Sequence, residues 1–137
     1  MTTNVLFLCP HGAAKSTTAA AYLEREGLRR GLDLVIDNAG TDPDPVVNPT
    51  VAVRLAAQDL PPGRDPRRVS EDDLNNADVI VNIGCDIPAL VGDGRVLDWS
   101  IPNFSVDAEV AFASIETAVD ALVGKLVTQR VPESGDD

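Results

Sequence analysis

The sequence predicts a single α/β domain built on a parallel sheet. An apolar run from Asn4 to Cys9 opens the chain and is typical of a strand that is buried on both faces. The long segment from Asp107 to Arg130 repeats its apolar residues at helical spacing. Between these two segments, strand-like and helix-like stretches alternate. That alternation predicts parallel strands joined by right-handed helical crossovers.

Cap and turn residues mark where the other elements begin and end. We expect Ser16 to cap the first helix and Gly31 to end it, because these residue types are favoured at the two helix ends. Pro49 suits the first position of a second helix, and Ser70 precedes three acidic residues in the first turn of a third. The predicted ranges are strand 4–9, helix 17–30, strand 32–37, helix 49–58, a short helix after Ser70, strand 78–83, strand 95–97 and helix 107–130.

Length, composition and charge limit the domain organisation and the partners. The 137 residues are expected to form one domain over 1–130 and an acidic disordered tail over 131–137. The sequence contains neither an apolar run of about 18 residues nor a signal-peptide pattern, so we expect a cytoplasmic protein that binds no membrane. The net charge of −11 also disfavours nucleic acid as a partner.

A thiol, a loop of small residues and a cation follow one another where the first strand gives way to the first helix. The residues are Cys9, Pro10, His11, Gly12, Ala13, Ala14, Lys15 and Ser16. Small side chains let backbone N–H groups approach an anion, and the start of the helix adds positive charge. Such a pocket suits a tetrahedral oxyanion and favours an ionised thiol. The pattern indicates a nucleophilic Cys9 assisted by Lys15 and Ser16, although a cysteine that is merely buried at a strand end gives the same pattern.

Three separate segments are expected to meet at one edge of the sheet, because ligands of parallel sheets bind at the carboxyl ends of the strands. Cys9 ends the first predicted strand, Cys85 follows the third, and Trp99 follows the fourth and is expected at the rim of the pocket. Two cysteines so far apart make no disulfide framework. The spacing of Cys9, His11 and Cys85 matches no recognised zinc pattern, so we expect neither a metal nor a bound cofactor.

These motifs resemble the low-molecular-weight protein tyrosine phosphatase superfamily, which includes the thioredoxin- and mycothiol-coupled arsenate reductases. The resemblance covers residues 4–129 and rests on a cysteine, five further residues, a basic residue and a serine after the first strand. It implies a three-layer domain with a four-stranded parallel sheet flanked by helices. Segments 77–86 and 95–99 resemble the arsenate reductases more closely, and the phosphatases usually lack a cysteine at the position of Cys85.

Three positions depart from the pattern of that superfamily. Its signature arginine is Lys15 here, and a lysine offers a point charge instead of a planar fork of donors. Its loop asparagine is Gly12, which lacks the side-chain hydrogen bonds that stiffen the loop. Its general acid falls at Asn103, and an amide cannot protonate a leaving oxygen. Arsenate depends less on that proton, because its own hydroxyl can leave as water.

The resemblance implies an enzyme similar to the arsenate reductases. Cys9 would attack a small oxyanion, arsenate or phosphate, and the adduct would be resolved by Cys85, as a second redox thiol, or by an external thiol. Because the chain has no third cysteine, turnover would need an external thiol or a thioredoxin-like reductant as redox partner. Two alternatives stay open: a slow phosphatase that forms a phosphocysteine on a phosphorylated substrate, and a non-catalytic, phosphate-binding regulatory protein.

Overall fold

A computed structural model describes residues 2–61 and 65–135, with side chains up to residue 128. Its elements are β1 (Thr3–Leu8), α1 (Lys15–Arg30), β2 (Leu34–Ala39), α2 (Pro49–Ala57), α3 (Glu71–Asn76), β3 (Val79–Asn82), a 3-10 turn (Pro88–Leu90), β4 (Val96–Asp98) and α4 (Ala108–Gly135). The strands form one parallel sheet in the order β2-β1-β3-β4. The predicted α/β class and the four-stranded parallel sheet are confirmed.

The sheet carries a hydrophobic core on each face, because side chains alternate along β1. Val5 and Phe7 point to the larger core, which also contains buried side chains of α1, α2 and α4. Leu6 and Leu8 point to the smaller core, against which Leu74 of α3 packs. Helices therefore cover both faces and give the domain three layers.

The ends of α1 test two of the predicted caps. Gly31 ends the helix in the left-handed conformation, as predicted, with a φ of 64°. The prediction that Ser16 caps the helix is wrong: α1 begins at Lys15 and Ala14 occupies the cap without a side-chain hydrogen bond. The Ser16 hydroxyl instead contacts the thiol of Cys9, so it is not available to cap the helix. Ser70 does cap α3, in a reciprocal pair of hydrogen bonds with Asp73.

Other element ends differ from the prediction by small shifts, except at the carboxyl end. β4 lies one residue later than expected. α4 continues past the expected end at Arg130 to Gly135, so residues 131–135 of the predicted tail continue the helix. Extending an existing helix needs no new nucleation, and the continuation is therefore easier than an isolated helix would be. Residues 136 and 137, the end of the predicted tail, lie outside the described residues.

Over the residues that the structure describes, no helix is both long enough and apolar enough to span a membrane.

Candidate active site

Cys9 lies directly after β1, where the first turn of α1 covers its thiol. Its side chain is buried, and Sγ lies 3.1 Å from Oγ of Ser16 in a hydrogen bond. The backbone N–H of Ser16 donates to the same sulfur at 3.4 Å. The sulfur thus sits at the positive end of a helix with a hydroxyl and an amide as partners.

The oxyanion loop, residues 10–15, is held from outside by the segment 40–48. Three N–H groups of that segment donate to loop carbonyls: Asp42 to Pro10 at 2.8 Å, Asp44 to His11 at 3.0 Å and Asn48 to Ala13 at 2.9 Å. The Gly12 carbonyl accepts from the Thr17 hydroxyl at 3.2 Å. Since C=O and N–H of one peptide unit point in opposite directions, the outward carbonyls of Pro10, Gly12 and Ala13 turn the N–H groups of residues 11, 13 and 14 inward. The N–H of Gly12, which follows the outward carbonyl of His11, instead donates to the carbonyl of Cys9 at 3.1 Å.

Four backbone N–H groups of the loop take no part in these contacts. Within residues 2–61 and 65–135, the N–H groups of His11, Ala13, Ala14 and Lys15 donate no hydrogen bond to the protein. Converging N–H groups at a helix N-terminus form a site for an anion of phosphate size. The loop therefore has the donors that a tetrahedral oxyanion requires.

Two glycines let the segment 40–48 lie directly against the loop. Gly12 has a φ of +61°, which a glycine adopts without strain. At Gly40, a Cβ atom would lie 2.6 Å from the carbonyl oxygen of Pro10 and 2.7 Å from that of Cys9. Both neighbours are backbone atoms that cannot rotate away. Only glycine fits at position 40, and this requirement was not recognised in the sequence.

Lys15 extends across the cavity to the segment that follows β4. Its Nζ donates to the backbone carbonyl of Ile101 at 2.8 Å. An ammonium has three protons to donate, so this bond leaves two for an anion in the cavity. The cation that the sequence placed beside Cys9 therefore also connects the oxyanion loop to the segment 99–107.

The cavity above the loop has a volume of about 380 Å³ and brings several predicted residues together. Its lining residues are Cys9, Pro10, His11, Ala13, Ala14, Lys15, Asp44, Asn48, Asn103, Phe104 and Ser105. Among these described residues Asp44 is the only carboxylate, and its Oδ1 lies 3.3 Å from Nδ1 of His11. Asn103, where the sequence resemblance leads us to expect a general acid, also lines the cavity and brings an amide.

The second thiol, Cys85, follows β3 and packs with the smaller core, yet it lies close enough to Cys9 for the two groups to interact electrostatically. Cys85 belongs to the smaller core, whereas Cys9 belongs to the larger one, and both thiols are unpaired. The side chain of Asn82 bonds both the N–H and the carbonyl of Cys85, at 2.8 and 2.9 Å. Burial raises the pKa of the Cys85 thiol, and the nearby Cys9 adds to this effect. In this conformation Cys85 is a buried thiol whose ionisation is disfavoured.

Trp99 is placed differently from the prediction. Its ring packs on Phe7 of β1 with a centroid distance of 5.7 Å, and it lines a groove against α4 instead of the cavity above Cys9. The chain leaves β4 at this point, and the indole joins the core face that Phe7 occupies. Trp99 thus anchors the start of the segment after β4 to the sheet, and it does not line the cavity above Cys9.

Asn38 is a further residue that the sequence interpretation missed. It is a buried amide near the end of β2. Its Nδ2 lies 3.4 Å from the Gly12 carbonyl oxygen and 3.3 Å from Oγ1 of Thr17. The two polar residues Asp37 and Asn38 near the end of a strand that begins with three apolar residues were the available signal. As for metals, the described side chains include no group of three or more ligands that could hold an ion.

The chain belongs to the low molecular weight phosphotyrosine protein phosphatase family, whose sequence model matches residues 4–88. A Halobacterium salinarum protein named "Putative arsenate reductase" is 32% identical over 107 residues, which are 74% of this chain and 75% of that protein. The fold and the site therefore define a family that contains both phosphatases and arsenate reductases.

Two solved structures illustrate the similarity. The arsenate reductase from Archaeoglobus fulgidus is 30% identical, with a TM-score of 0.75 over 88% of this chain and 98% of that one. The thioredoxin-dependent arsenate reductase of Corynebacterium glutamicum is 22% identical, with a TM-score of 0.77 over 93% of this chain. This chain covers only 62% of the length of the Corynebacterium protein.

Proposed function

We propose that this protein is an arsenate-reductase-like enzyme in which Cys9 is the nucleophile. The observation that carries the proposal is the position of the Cys9 sulfur between the Ser16 hydroxyl and amide, beneath inward-facing N–H groups of the loop. A thiolate held next to a site for a tetrahedral anion can attack the central atom of that anion. The relatives named as arsenate reductases support this choice of substrate.

The first chemical step joins sulfur to arsenic. The Cys9 thiolate attacks As(V) of H₂AsO₄⁻ and an S–As bond forms. One As–O bond breaks as one arsenate hydroxyl takes the proton of the other hydroxyl and leaves as water. The N–H groups of the loop and the Lys15 ammonium stabilise the remaining oxygens. The step suits a cavity in which Asn103 supplies no acid. A phosphate ester, in contrast, needs a proton on its alkoxide or phenoxide leaving group.

The second step is the redox step. A second thiolate attacks Sγ of Cys9, an S–S bond forms, and the S–As bond breaks with its electron pair on arsenic, which leaves as arsenite. Two electrons thus pass from the two thiols to arsenic, and the disulfide is reduced afterwards by further thiol. The burial of Cys85 and the raised pKa of its thiol disfavour it as the attacking thiolate, and this favours an external thiol. A thioredoxin-like protein or a small thiol supplies it.

Arsenite release tests this proposal. The protein is incubated with arsenate and, in separate reactions, with a small monothiol, a dithiol and a thioredoxin system. We expect release in at least one of them, loss of release in Cys9→Ser, and retention in Cys85→Ser. Absence of release with every reductant overturns the reductase. If Cys85→Ser stops turnover as completely as Cys9→Ser does, the adduct is resolved by Cys85 and not by an external thiol.

A slow phosphatase is the second candidate, and the size of the cavity favours it. A volume of about 380 Å³, with Phe104 on one wall, fits an aryl group as well as an inorganic anion. This candidate requires hydrolysis of an aryl phosphate through a phosphocysteine on Cys9, abolished in Cys9→Ser. Stabilisation of the fold by phosphate without any turnover instead identifies a non-catalytic, anion-binding protein.

A further inference from the structure

The hydrogen bond between Ser16 and Cys9 has a direction that depends on what else surrounds the serine oxygen. Ser16 is fully buried, and its Oγ lies 3.1 Å from the sulfur. A hydroxyl has one proton to donate and two lone pairs with which to accept. It stabilises a thiolate only when the proton points at the sulfur. A donor on the other side of Oγ favours this orientation, because it occupies a lone pair.

Asn38 places such a donor beside Ser16. Its Nδ2 lies 3.5 Å from Oγ of Ser16 and 3.4 Å from the carbonyl oxygen of Gly12. A carbonyl can only accept, and its contact fixes the NH₂ end of the amide towards the loop. The amide therefore donates to Ser16 and cannot take the serine proton.

The Thr17 hydroxyl is a second group that accepts a hydrogen bond from the Asn38 amide. The Thr17 hydroxyl donates its proton to the Gly12 carbonyl at 3.2 Å, so its oxygen is left to accept from Nδ2 of Asn38 at 3.3 Å. Nδ2 of Asn38 has two protons for three acceptors, so we assign one proton to Ser16 Oγ and the other to the adjacent pair of Thr17 Oγ1 and the Gly12 oxygen, which share it. Gly12 has no side chain of its own, and the loop is braced at this point by β2.

We infer that Asn38 is a positioning residue, whose amide directs the Ser16 proton onto the Cys9 thiolate and keeps the Gly12 carbonyl turned out of the cavity. The inference rests on the proposed function, in which Cys9 is the nucleophile. Asn38 itself touches neither the sulfur nor the substrate. It acts through Ser16, and its effect disappears when the Ser16 hydroxyl is absent.

Alkylation of Cys9 by iodoacetamide tests this role, and peptide mass mapping separates Cys9 from Cys85. At about pH 6 the rate follows the ionised fraction, whereas at about pH 10 most thiols are ionised. We expect Asn38→Ala to slow the reaction at the lower pH by about 10-fold, the scale of one lost hydrogen bond to a charged group. At the higher pH we expect the Asn38→Ala rate to stay within about twofold of the wild-type rate. A general loosening of the fold would change the rate at both pH values.

Three further variants separate positioning from damage to the fold. Asn38→Asp keeps the shape of the side chain but replaces the donor with an acceptor, and we expect the same slowing. In a Ser16→Ala background, Asn38→Ala is expected to add no further slowing. Asn4→Ala is the matched control, because Asn4 is a strand asparagine at the opposite end of the sheet whose amide bonds Asn76. Its Cys9 rate is expected to equal the wild-type rate.

The outcomes distinguish this inference from the proposed function. If phosphate protects wild-type Cys9 while the Asn38 variants react at the wild-type rate, the positioning role fails and the nucleophile stands. Equal slowing by Asn38→Ala with and without the Ser16 hydroxyl also overturns the role. If phosphate gives no protection and wild-type Cys9 reacts like an ordinary thiol at the lower pH, both proposals fail.

Discussion

The Nζ atom of Lys15 donates a 2.8 Å hydrogen bond to the backbone carbonyl of Ile101, and so joins the first turn of α1 to the segment after β4. That segment carries Asn103 and Phe104 into the cavity above Cys9. A lysine reaches this carbonyl with a single flexible ammonium, which can keep the bond while it turns its other protons to an anion. The cation thus serves the oxyanion loop and the far wall of the cavity together.

Replacement of Lys15 by methionine removes this cation at nearly constant side-chain volume. We expect Lys15→Met to weaken phosphate and arsenate binding by about 10–100-fold, because at least one charge-assisted hydrogen bond is lost. The measurement is the rise of the melting temperature with anion concentration, which follows the dissociation constant. Lys125→Met is the control, since this only other lysine lies exposed on α4. Equal anion responses in the two variants would contradict the role of Lys15.

Gly40 is predicted to tolerate no side chain. Gly40→Ala brings a Cβ to within 2.6–2.7 Å of the backbone of Cys9, Pro10 and Gly12. We expect a loss of about 1–3 kcal/mol in the free energy of unfolding, together with loss of phosphate binding, because the loop must move. Gly94→Ala is the control, since nothing lies within 4 Å of its Cβ. Denaturant unfolding measures the free energy of unfolding of both variants. Equal values would show that the loop can move to accommodate the added Cβ atom at little cost.

Asn103→Asp is predicted to separate the two candidate chemistries. A carboxylic acid at this position can protonate a phenolic leaving group and is worth about 10²-fold or more when it is well placed. We expect aryl phosphate hydrolysis to increase while arsenite release changes little. Ser105→Asp, which adds a carboxylate to a neighbouring lining position, is the control. No increase in Asn103→Asp, or the same increase in the control, would show that position 103 is not the place for the acid.

Arg67 is predicted to stabilise the fold in a pH-dependent way. Its guanidinium bonds Asp73 at 2.7 and 2.9 Å and Asp37 at 2.7 Å, and it lowers the pKa of Asp73 from the ordinary value of 3.8. A carboxylate with a lowered pKa contributes stability above its unfolded pKa and loses it as the pH falls through the folded pKa. Because the pair is partly exposed, we expect Arg67→Gln to lower stability by about 1–2 kcal/mol near neutral pH.

Urea unfolding at about pH 7 and about pH 3 measures this effect, and the difference from the wild type is expected to shrink at the lower pH. Arg29→Gln provides the matched control, because Arg29 forms an ion pair with Glu26 and its side chain is 65% exposed. Its effect is expected to stay within about 0.5 kcal/mol at both pH values. An Arg67 effect of the same size at both pH values would show that protonation of Asp73 plays no part.

Much of the fold follows from patterns that are local in the sequence. The apolar run of β1, the cap at Ser70 and the stop at Gly31 depend on residues next to one another, and they appear where the sequence predicts them. The cap at Ser16 was predicted by the same logic and is wrong. Its hydroxyl has a tertiary partner, the thiol of Cys9, and that contact is absent from any local pattern.

The candidate site, in contrast to these elements, depends on contacts between segments that are far apart in the sequence. The sequence placed Cys9, Lys15 and the small residues of the loop together, because they are adjacent in the chain. It did not reveal that Gly40 must pack on the loop or that Lys15 reaches Ile101. These relationships arise only when β2 and β4 are set on either side of the central strands, and steric exclusion and hydrogen-bond geometry then select the residues.

Trp99 is the chain's single tryptophan, and its surroundings give the protein an intrinsic optical reporter. Its backbone N–H is tied to Asn82 of β3 and its ring rests on Phe7, so the indole is anchored to the sheet. Two residues later, Ile101 receives the ammonium of Lys15. An anion that binds to the remaining protons of that ammonium lies close in the chain to the anchor of the fluorophore. We therefore expect the emission of Trp99 to change on anion binding, so that binding can be followed without a label.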